Sequence, residues 1–304
     1  MTGWRRRGTA LVLAAGAGLA AAACSARSDA PSASAGTSSA GTASAAASGS
    51  AAGLATAPAS TSGTTPTAAA SSPATTPPSA GALRGRMVAI DPGHNGGNFR
   101  HTAQIARTVD IGNGTKACDT TGTETNAGYA EAAFALDVSL RLAGLLRAEG
   151  ASVVLTRTGD DGVGPCITER TAIGNQAHAD AAISIHGDGA PAAGYGFHVI
   201  TPRGIGRNDA IVAPSRRLAI DIRDAFRAGT GEPLSTYTGT TTGGVVARND
   251  LGGLNLSTVP KVFIECGNMR NAADARRMTD PAWRQRAAAA LAAGIADYLV
   301  GRPG

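Results

Sequence analysis

The amino-acid sequence predicts an α/β fold: a single domain whose mixed, mainly parallel central sheet is flanked by helices on both faces. Short apolar runs of strand length alternate with longer segments in which apolar residues recur every three or four positions. This alternation is typical of parallel sheets with helical crossovers. Two of the apolar runs are followed directly by His186 and Glu265, and a third is followed by Asp91-Pro92-Gly93-His94. Because sites in open α/β sheets gather beyond the carboxyl ends of the strands, we expect the side chains of His94, His186 and Glu265 to share a functional site.

The first half of the predicted domain contains one strand, one long irregular segment and one long helix. Residues 87–91 form the opening strand, because Met-Val-Ala-Ile is a continuous apolar run. Residues 95–128 are rich in Gly, Thr and Asn, and a connection of this length is more often functional than merely structural. A helix is predicted over residues 131–149, where apolar residues from Phe134 to Leu146 recur at helical spacing.

The second half of the domain continues the alternation of strands and helices. Apolar and β-branched runs predict strands, and large apolar residues at helical spacing predict helices. The predicted strands are residues 153–156, 181–185, 197–200, 245–247 and 262–264. The predicted helices are residues 168–177, 214–228 and 281–300. The sequence shows no internal repeat and no sign of a second domain.

The N-terminus is predicted to be a signal peptide, residues 1–23. Three successive arginines give it a charged start, and residues 10–23 form an apolar stretch that is short for a membrane span. The stretch ends Ala-Ala-Ala-Cys at Cys24, which resembles a lipoprotein cleavage box with Ala where Leu is usual. We expect cleavage before Cys24 and lipidation of its thiol. The alternative is ordinary cleavage after Ala23, which would leave Cys24 as an odd thiol.

A low-complexity segment separates the signal peptide from the predicted domain. Residues 24–85 consist almost wholly of Ser, Ala, Thr, Gly and Pro without a periodic apolar pattern, so we expect a disordered tether. The folded domain is then residues 86–303, which is enough for one substantial core. Signal peptide and tether together predict an exported protein of the cell envelope, lipid-anchored on the outer side of the cytoplasmic membrane or otherwise secreted.

The charge of the chain gives no argument for nucleic-acid binding. The formal net charge is +5, but residues 1–85 hold five arginines and one aspartate, which leaves +1 for the predicted domain. We therefore expect no nucleic-acid partner. Separately, we expect a monomer whose only membrane contact would be the lipid anchor predicted at Cys24.

The four cysteines of an exported chain predict one disulfide bond. Cys24 lies at the signal-peptide boundary. Cys118 and Cys166 both lie in polar stretches that read as loops, whereas Cys266 directly follows an apolar run. We therefore predict a bridge between Cys118 and Cys166 and a free, buried thiol at Cys266.

His94 and His186 are candidate zinc ligands. Each follows a predicted strand: His94 comes after the turn-forming Asp-Pro-Gly, and His186 precedes Gly187. Either histidine alone could be structural, but the pair at one sheet edge favours a zinc site, which commonly takes three protein ligands in enzymes. Glu131 is the best third candidate, because it lies on the apolar stripe of its helix, where a carboxylate needs a partner. The helix dipole alone could also explain its position. Glu124 is a rival ligand that lies in a loop.

Glu265 is the candidate general base. It lies among apolar residues at a predicted strand end, where an ionised carboxylate would be costly without a role. Next to a metal-activated water, a glutamate can take the proton of the attacking water and return it to a leaving amine. The alternative is a structural ion pair with Arg248 or Arg270. His178 and His198 are interpreted as structural.

The ordered set of these residues resembles the zinc-dependent N-acetylmuramoyl-L-alanine amidases over about residues 86–300. The matching positions are Asp91-Pro92-Gly93-His94, Glu131, Ser184-Ile185-His186 and Phe263-Ile264-Glu265, together with Arg157, Arg170 and Asp180. The resemblance implies one Zn²⁺ held by His94, Glu131 and His186, with Glu265 catalytic. It also implies a peptidoglycan or muropeptide substrate, hydrolysed at the amide between the lactyl group of N-acetylmuramic acid and L-alanine.

The chain departs from the family pattern next to three of these motifs. Asn95 precedes two glycines that many relatives have directly after the first histidine. Gly187 and Asp188 follow the second histidine, where Ala-Asn is common, and Cys266 follows the glutamate. None of these departures removes a ligand, so they concern substrate contacts more than zinc.

Three other functions are compatible with the residues. A zinc peptidase acting on stem peptides would differ in the bond that it hydrolyses, and the absence of a His-Glu-x-x-His helix excludes only one architecture. A thiol enzyme would use Cys266, although a buried thiol without an activating environment is more often inert. A non-catalytic cell-wall-binding protein would require a lost ligand or base, and all four candidates are present.

Overall fold

The computed structural model describes residues 81–238 and 243–301. The predicted signal peptide, Cys24 and the tether up to residue 80 lie outside these residues. None of the described helices is long and apolar enough to cross a membrane.

The described part of the chain begins with turns that belong to the domain. Residues 81–85 form these turns, and the side chain of Leu83 is fully buried. The backbone N–H of Leu83 donates a hydrogen bond of 3.0 Å to the carbonyl of Glu149. Packed structure therefore begins before Arg86, where the sequence pattern placed the start of the domain.

The described residues form eight strands. In chain order they are β1 (Met87–Pro92), β2 (Thr108–Asp110), β3 (Thr115–Ala117), β4 (Ser152–Leu155), β5 (Ala181–Asp188), β6 (His198–Pro202), β7 (Val245–Arg248) and β8 (Lys261–Asn268). Six of them form the central sheet in the order β4-β1-β5-β8-β6-β7, while β2 and β3 form a separate hairpin. Strands β4, β1, β5 and β8 are parallel, β6 is antiparallel to β8, and β7 is parallel to β6. The sheet is thus mixed and mainly parallel, as predicted.

Helices cover both faces of this sheet, which confirms the predicted fold class. The helices are α1 (Thr102–Ile105), α2 (Glu131–Ala148), α3 (Ile167–Gln176), α4 (Asp209–Thr230), α5 (Gly252–Asn255), α6 (Ala272–Thr279) and α7 (Pro281–Val300). Helices α2, α4 and α7 pack together over one face, and their buried side chains form the main core with those of the strands. Helix α3 packs against β1 on the other face, where a Cβ at Gly174 would lie only 3.4 Å from Ala89 Cβ.

Two strands extend further than the apolar runs predict. Strand β5 continues to Asp188 and β8 continues to Asn268, so His186 and Glu265 lie inside strands rather than after them. The alternation of side chains along each strand decides which face they occupy. Ile185, Ile264 and Cys266 belong to the main core, and His186 and Glu265 therefore point to the opposite face.

The predicted irregular segment contains short elements that its composition did not reveal. Residues 95–128 hold a turn of 3-10 helix, α1 and the hairpin of β2 and β3. Helices α5 and α6 were also not predicted, and α4 begins at Asp209 rather than at Pro214, which lies inside it. These elements are too short, or too polar, to give a clear periodic signal.

Candidate metal centre

The end of β1 places His94 against His186. His94 has a φ of 56°, a left-handed conformation that is uncommon for residues other than glycine and that recurs at functional sites. Gly93 permits the close approach of the two segments, because a Cβ there would lie 2.3 Å from His186 Cε1. The two imidazole rings meet edge to face, with centroids 4.9 Å apart. The ring of Phe263 stacks on that of His186, with centroids 5.3 Å apart.

Glu131, the first residue of α2, lies between the two histidines. Its Oε1 is 2.9 Å from His186 Nδ1 and 3.2 Å from His94 Nε2. The backbone N–H of Thr123 donates to Oε2 at 2.9 Å, and that of Gly187 donates to Oε1 at 3.2 Å. One ligand atom from each of the three side chains lies within 4.8 Å of the others, close enough for all three to hold one metal ion.

The charges of this cluster support one another. Burial lowers the pKa of His94, but the charges and hydrogen bonds of Glu131 and Asp119 outweigh it and raise the pKa to about 10. Burial raises the pKa of Glu131, and the two histidines more than reverse this, so that the carboxylate stays ionised. A metal cation has to displace the proton of His94, and metal binding is accordingly coupled to proton release.

Contacts behind His94 fix the orientation of its ring. Nδ1 lies 3.1 Å from the carbonyl oxygen of Thr120 and 3.4 Å from Asp119 Oδ1. The carbonyl only accepts, so it favours the tautomer with a proton on Nδ1 and a free lone pair on Nε2. Asp119 is in turn held by Arg170, whose Nη2 lies 3.2 Å from Oδ2.

The disulfide bond lies directly beside these contacts. Cys118 and Cys166 are bonded, with Cα atoms 4.6 Å apart, which confirms the predicted pairing. Cys118 precedes Asp119, and Cys166 is the N-cap of α3, which carries Arg170. The bridge therefore ties together the two segments that carry the Asp119–Arg170 ion pair.

A buried network under the site holds the end of β1. Asp91 accepts hydrogen bonds of 2.7 Å from both Thr156 and Ser184, and its carboxylate also pairs with Arg170 at 3.0 Å and Lys261 at 3.5 Å. Burial raises the pKa of Asp91, but the two cations and the hydroxyl donors lower it far more. Arg157 and Arg170 had been singled out from the sequence only by the family resemblance. Arg170 pairs with carboxylates around the site. Arg157 donates hydrogen bonds to the carbonyl oxygens of Pro92, Gly93 and Ala132.

Glu265 lies next to the cluster, on the same face of the sheet. It is the direct partner of His186 in the pairing of β5 with β8, and it lines the same cleft of about 260 Å³ as His94, Glu131 and His186. Its Oε2 is buried without a hydrogen-bond partner among the described residues. Burial, and next the negative charges of Glu131 and Asp188, raise the pKa of Glu265 well above its ordinary value.

Other candidates from the sequence lie elsewhere. Glu124 is exposed and does not join the three-residue cluster. Cys266 is a free, fully buried thiol in the main core, on the face opposite to Glu265. Burial raises the pKa of this thiol well above its ordinary value, which leaves it protonated and unsuited to attack a substrate.

The sequence reasoning missed two residues of the site. Asp119 and Thr120 contact His94 from within the long segment that gave no periodic signal. The one available clue was the position of Asp119 directly after a cysteine that was predicted to form a bridge.

Comparisons with known proteins agree with this geometry. Residues 88–297 match the family model described as N-acetylmuramoyl-L-alanine amidase. The chain is 41% identical over 218 residues to the Mycobacterium tuberculosis protein named N-acetylmuramoyl-L-alanine amidase Rv3717, an alignment that covers 71% of this chain and 88% of the relative.

Two solved structures have similar folds. The crystal structure of the amidase Ami1 from Mycobacterium smegmatis has a TM-score of 0.67 and 40% identity, covering 72% of this chain and 99% of that one. The apo form of Ami1 from Mycobacterium abscessus has a TM-score of 0.67 and 42% identity, covering 71% of this chain and 100% of that one. The chain therefore belongs to the N-acetylmuramoyl-L-alanine amidase family.

Proposed function

We propose that this chain is a zinc-dependent amidase that hydrolyses the bond between the lactyl group of N-acetylmuramic acid and L-alanine in peptidoglycan or muropeptides. The observation that carries the proposal is the convergence of His94, Glu131 and His186 within 4.8 Å, with Glu265 on the adjacent strand in the same cleft. Membership of the family supports the choice of bond.

The donor set fits zinc. Two imidazoles and one carboxylate form a ligand set that catalytic zinc sites use, with a further position left for water. The contacts of the ligand His94 also fit a zinc site, because Thr120 O and Asp119 Oδ1 lie close to its Nδ1 and leave Nε2 for the metal. When bound, zinc supplies a Lewis acid that polarises the scissile carbonyl and makes water more acidic.

Glu265 is assigned the proton transfers. One of its oxygens, Oε2, is buried, which leaves Oε1 to accept a proton from the attacking water. The same oxygen then gives that proton to the nitrogen of the departing L-alanine, so that the amine leaves neutral. The raised pKa of Glu265 suits a group that has to hold a proton and then release it.

The cell-envelope location is part of the proposal. The signal-like N-terminus and the low-complexity segment of the sequence suit an exported enzyme that is tethered at Cys24. A Cys24→Ala variant expressed in the native host should move from the membrane fraction to the medium. Equal distribution of variant and wild type would favour secretion without an anchor.

Digestion of purified peptidoglycan tests the enzymatic assignment. Intact stem peptides with a free N-terminal L-alanine are the expected products by mass spectrometry, whereas shortened muropeptides would indicate a peptidase. A chelator should abolish turnover, and added zinc should restore it. Undigested peptidoglycan with a zinc-loaded protein would favour the non-catalytic binding function.

Two variants separate the proposed roles. Glu265→Gln should keep zinc at one equivalent while kcat falls by roughly 10²- to 10⁴-fold, the typical contribution of a general base. His94→Ala should lose zinc together with activity. A Glu265→Gln protein that retains full turnover would exclude this residue as the base.

A further inference from the structure

His198 lies directly across from Glu265 in the sheet. In the antiparallel pairing of β6 with β8, His198 is the partner of Glu265, and Glu265 is in turn the partner of His186 in β5. Directly opposite residues point to the same face, with Cβ atoms about 4.5–5.5 Å apart. The three side chains therefore form a row across the sheet, from the metal centre to His198.

Two atoms of this row are buried without partners. His198 Nδ1 and Glu265 Oε2 have no hydrogen-bond partner among the described residues, although His198 is only 4% exposed. A buried polar atom without a hydrogen-bond partner destabilises the folded state, and few are found in native structures. Because these two atoms belong to directly paired residues, a single water between them would satisfy both.

Within residues 81–238 and 243–301, the neighbours of His198 provide no other partner for Nδ1. The ring of Tyr237 meets the imidazole edge to face at 5.8 Å, and Asp188 and Arg248 act on it only as nearby charges of opposite sign. Burial lowers the pKa of His198 to about 4, so the ring is neutral at neutral pH. A neutral imidazole can donate or accept a hydrogen bond, depending on its tautomer.

We propose that His198 is a positioning residue for Glu265, and that one buried water joins Nδ1 to Oε2 by hydrogen bonds. This inference rests on the proposed function, because it assumes that Glu265 is the base. The bridging water holds Oε2 and leaves Oε1 for the attacking water. A neutral imidazole with its proton on Nδ1 suits both states of the base, because Oε2 accepts a hydrogen bond before proton transfer and still accepts one afterwards, when the proton is on Oε1. His198 itself gains and loses no proton in the net reaction.

Three substitutions in the full-length protein test the position of the hydrogen-bonding atom. His198→Asn places an amide near the position of Nδ1, His198→Gln places it near Nε2, and His198→Leu removes it. We expect His198→Leu and His198→Gln to lower kcat by roughly 10- to 100-fold, as for other outer-shell residues. KM and zinc content should stay within about two-fold, and His198→Asn should retain most of kcat.

Ile200→Val is the matched control, because Ile200 is a buried residue on the same face of the same strand. Its kcat should equal that of the wild type. A merely structural role for His198 would lower stability in all three variants without separating Asn from Gln and Leu. Unchanged kcat in His198→Leu, or an equal loss in His198→Asn, would overturn the proposal.

A measurement without substrate separates this inference from the proposed function. The ¹⁵N chemical shift of His198 Nδ1 should change when Glu265 is replaced by Leu, and it should be unchanged in Ile200→Val. An unchanged shift in Glu265→Leu would exclude the pairing even in an active enzyme. A changed shift in a protein that fails to cleave peptidoglycan would support the pairing and refute the enzymatic assignment.

Discussion

Single atoms decide the geometry at His94. Position 93 has no room for a side chain, because a Cβ there would lie 2.3 Å from His186 Cε1. The next residue, His94, has a left-handed backbone conformation, so the chain turns directly after β1. Asp-Pro-Gly-His is thus a structural requirement as well as a turn signal. The sequence predicted the turn, but the need for glycine comes from a histidine on another strand, which no local pattern contains.

Replacing Gly93 by alanine should weaken zinc binding. The new Cβ has to displace the His186 ring, which separates a ligand from its partners, so we expect roughly 10- to 100-fold lower affinity by chelator competition. Gly144→Ala is the control, since nothing lies within 4 Å of a Cβ there and helix α2 should gain about 0.5–1 kcal/mol. Equal zinc affinity in both variants would contradict the steric argument.

Removing the charge of Asp188 should shift the pH dependence of activity. Burial is the largest cause of the raised pKa of Glu265, and the charge of Asp188 raises it further. A base works deprotonated, so activity rises as pH increases through this pKa. Asp188→Asn lowers the pKa, and the acidic limb of the kcat/KM profile should move to lower pH. The control Asp224→Asn, on α4, should leave the acidic limb at the same pH. A shift of the acidic limb to higher pH in Asp188→Asn would contradict the argument.

Strand pairing, rather than the apolar runs, determines which residues meet. The apolar runs predicted where the strands lie, because buried strands have a strong local signal. The apolar runs did not predict that β5 and β8 continue past His186 and Glu265. These two residues are polar, and pairing between the two strands keeps them in the sheet. His198 was interpreted as structural because it lies within a predicted strand. Its position beside Glu265 follows only from the antiparallel pairing of β6 with β8.

Helix α2 shows where local and tertiary signals agree. Its apolar stripe is the buried one, with Phe134, Val138, Leu142 and Leu146 fully buried, and Glu131 continues that stripe to the metal centre. By contrast, the hairpin of β2 and β3 has three residues in each strand, too few to create a periodic pattern. It is held in place by the disulfide bond at Cys118 together with tertiary contacts such as Lys116–Asp250 and Asn255–Asn113.

Loss of the disulfide bond should destabilise the domain and the site together. The bridge closes a separation of 48 residues, and such a cross-link typically contributes about 2–4 kcal/mol to the free energy of unfolding. Replacing Cys118 and Cys166 by serine should cost this amount in denaturant unfolding. Zinc affinity should fall as well, because Asp119 and Arg170 lose their constraint. A reductant should lower the Tm of the wild type and leave that of the double variant unchanged.

The whole domain is asymmetric about its sheet. One face is covered by α2, α4 and α7 and holds the large apolar core, while the other face carries α3, α5 and the buried charges around Asp91. His186 and Glu265 point to this second face, and Glu131 reaches His186 from the first residue of α2. The layer formed by α2, α4 and α7 contributes most of the helical residues that are buried in the main core. The opposite face can therefore keep polar groups close to the cleft, among them the unpartnered atoms His198 Nδ1 and Glu265 Oε2.

The start of the folded domain belongs to this main core. Leu83 is fully buried, four residues before β1, in the core that contains α2 and α7. Leu83→Ala in the full chain should lower the free energy of unfolding by about 2–5 kcal/mol, because a buried leucine is lost and a cavity is left. Leu140→Ala, at a leucine that is 45% exposed on α2, should cost less than about 0.5 kcal/mol in the same denaturation experiment. Equal losses in the two variants would place Leu83 outside the core and return the start of the domain to Arg86.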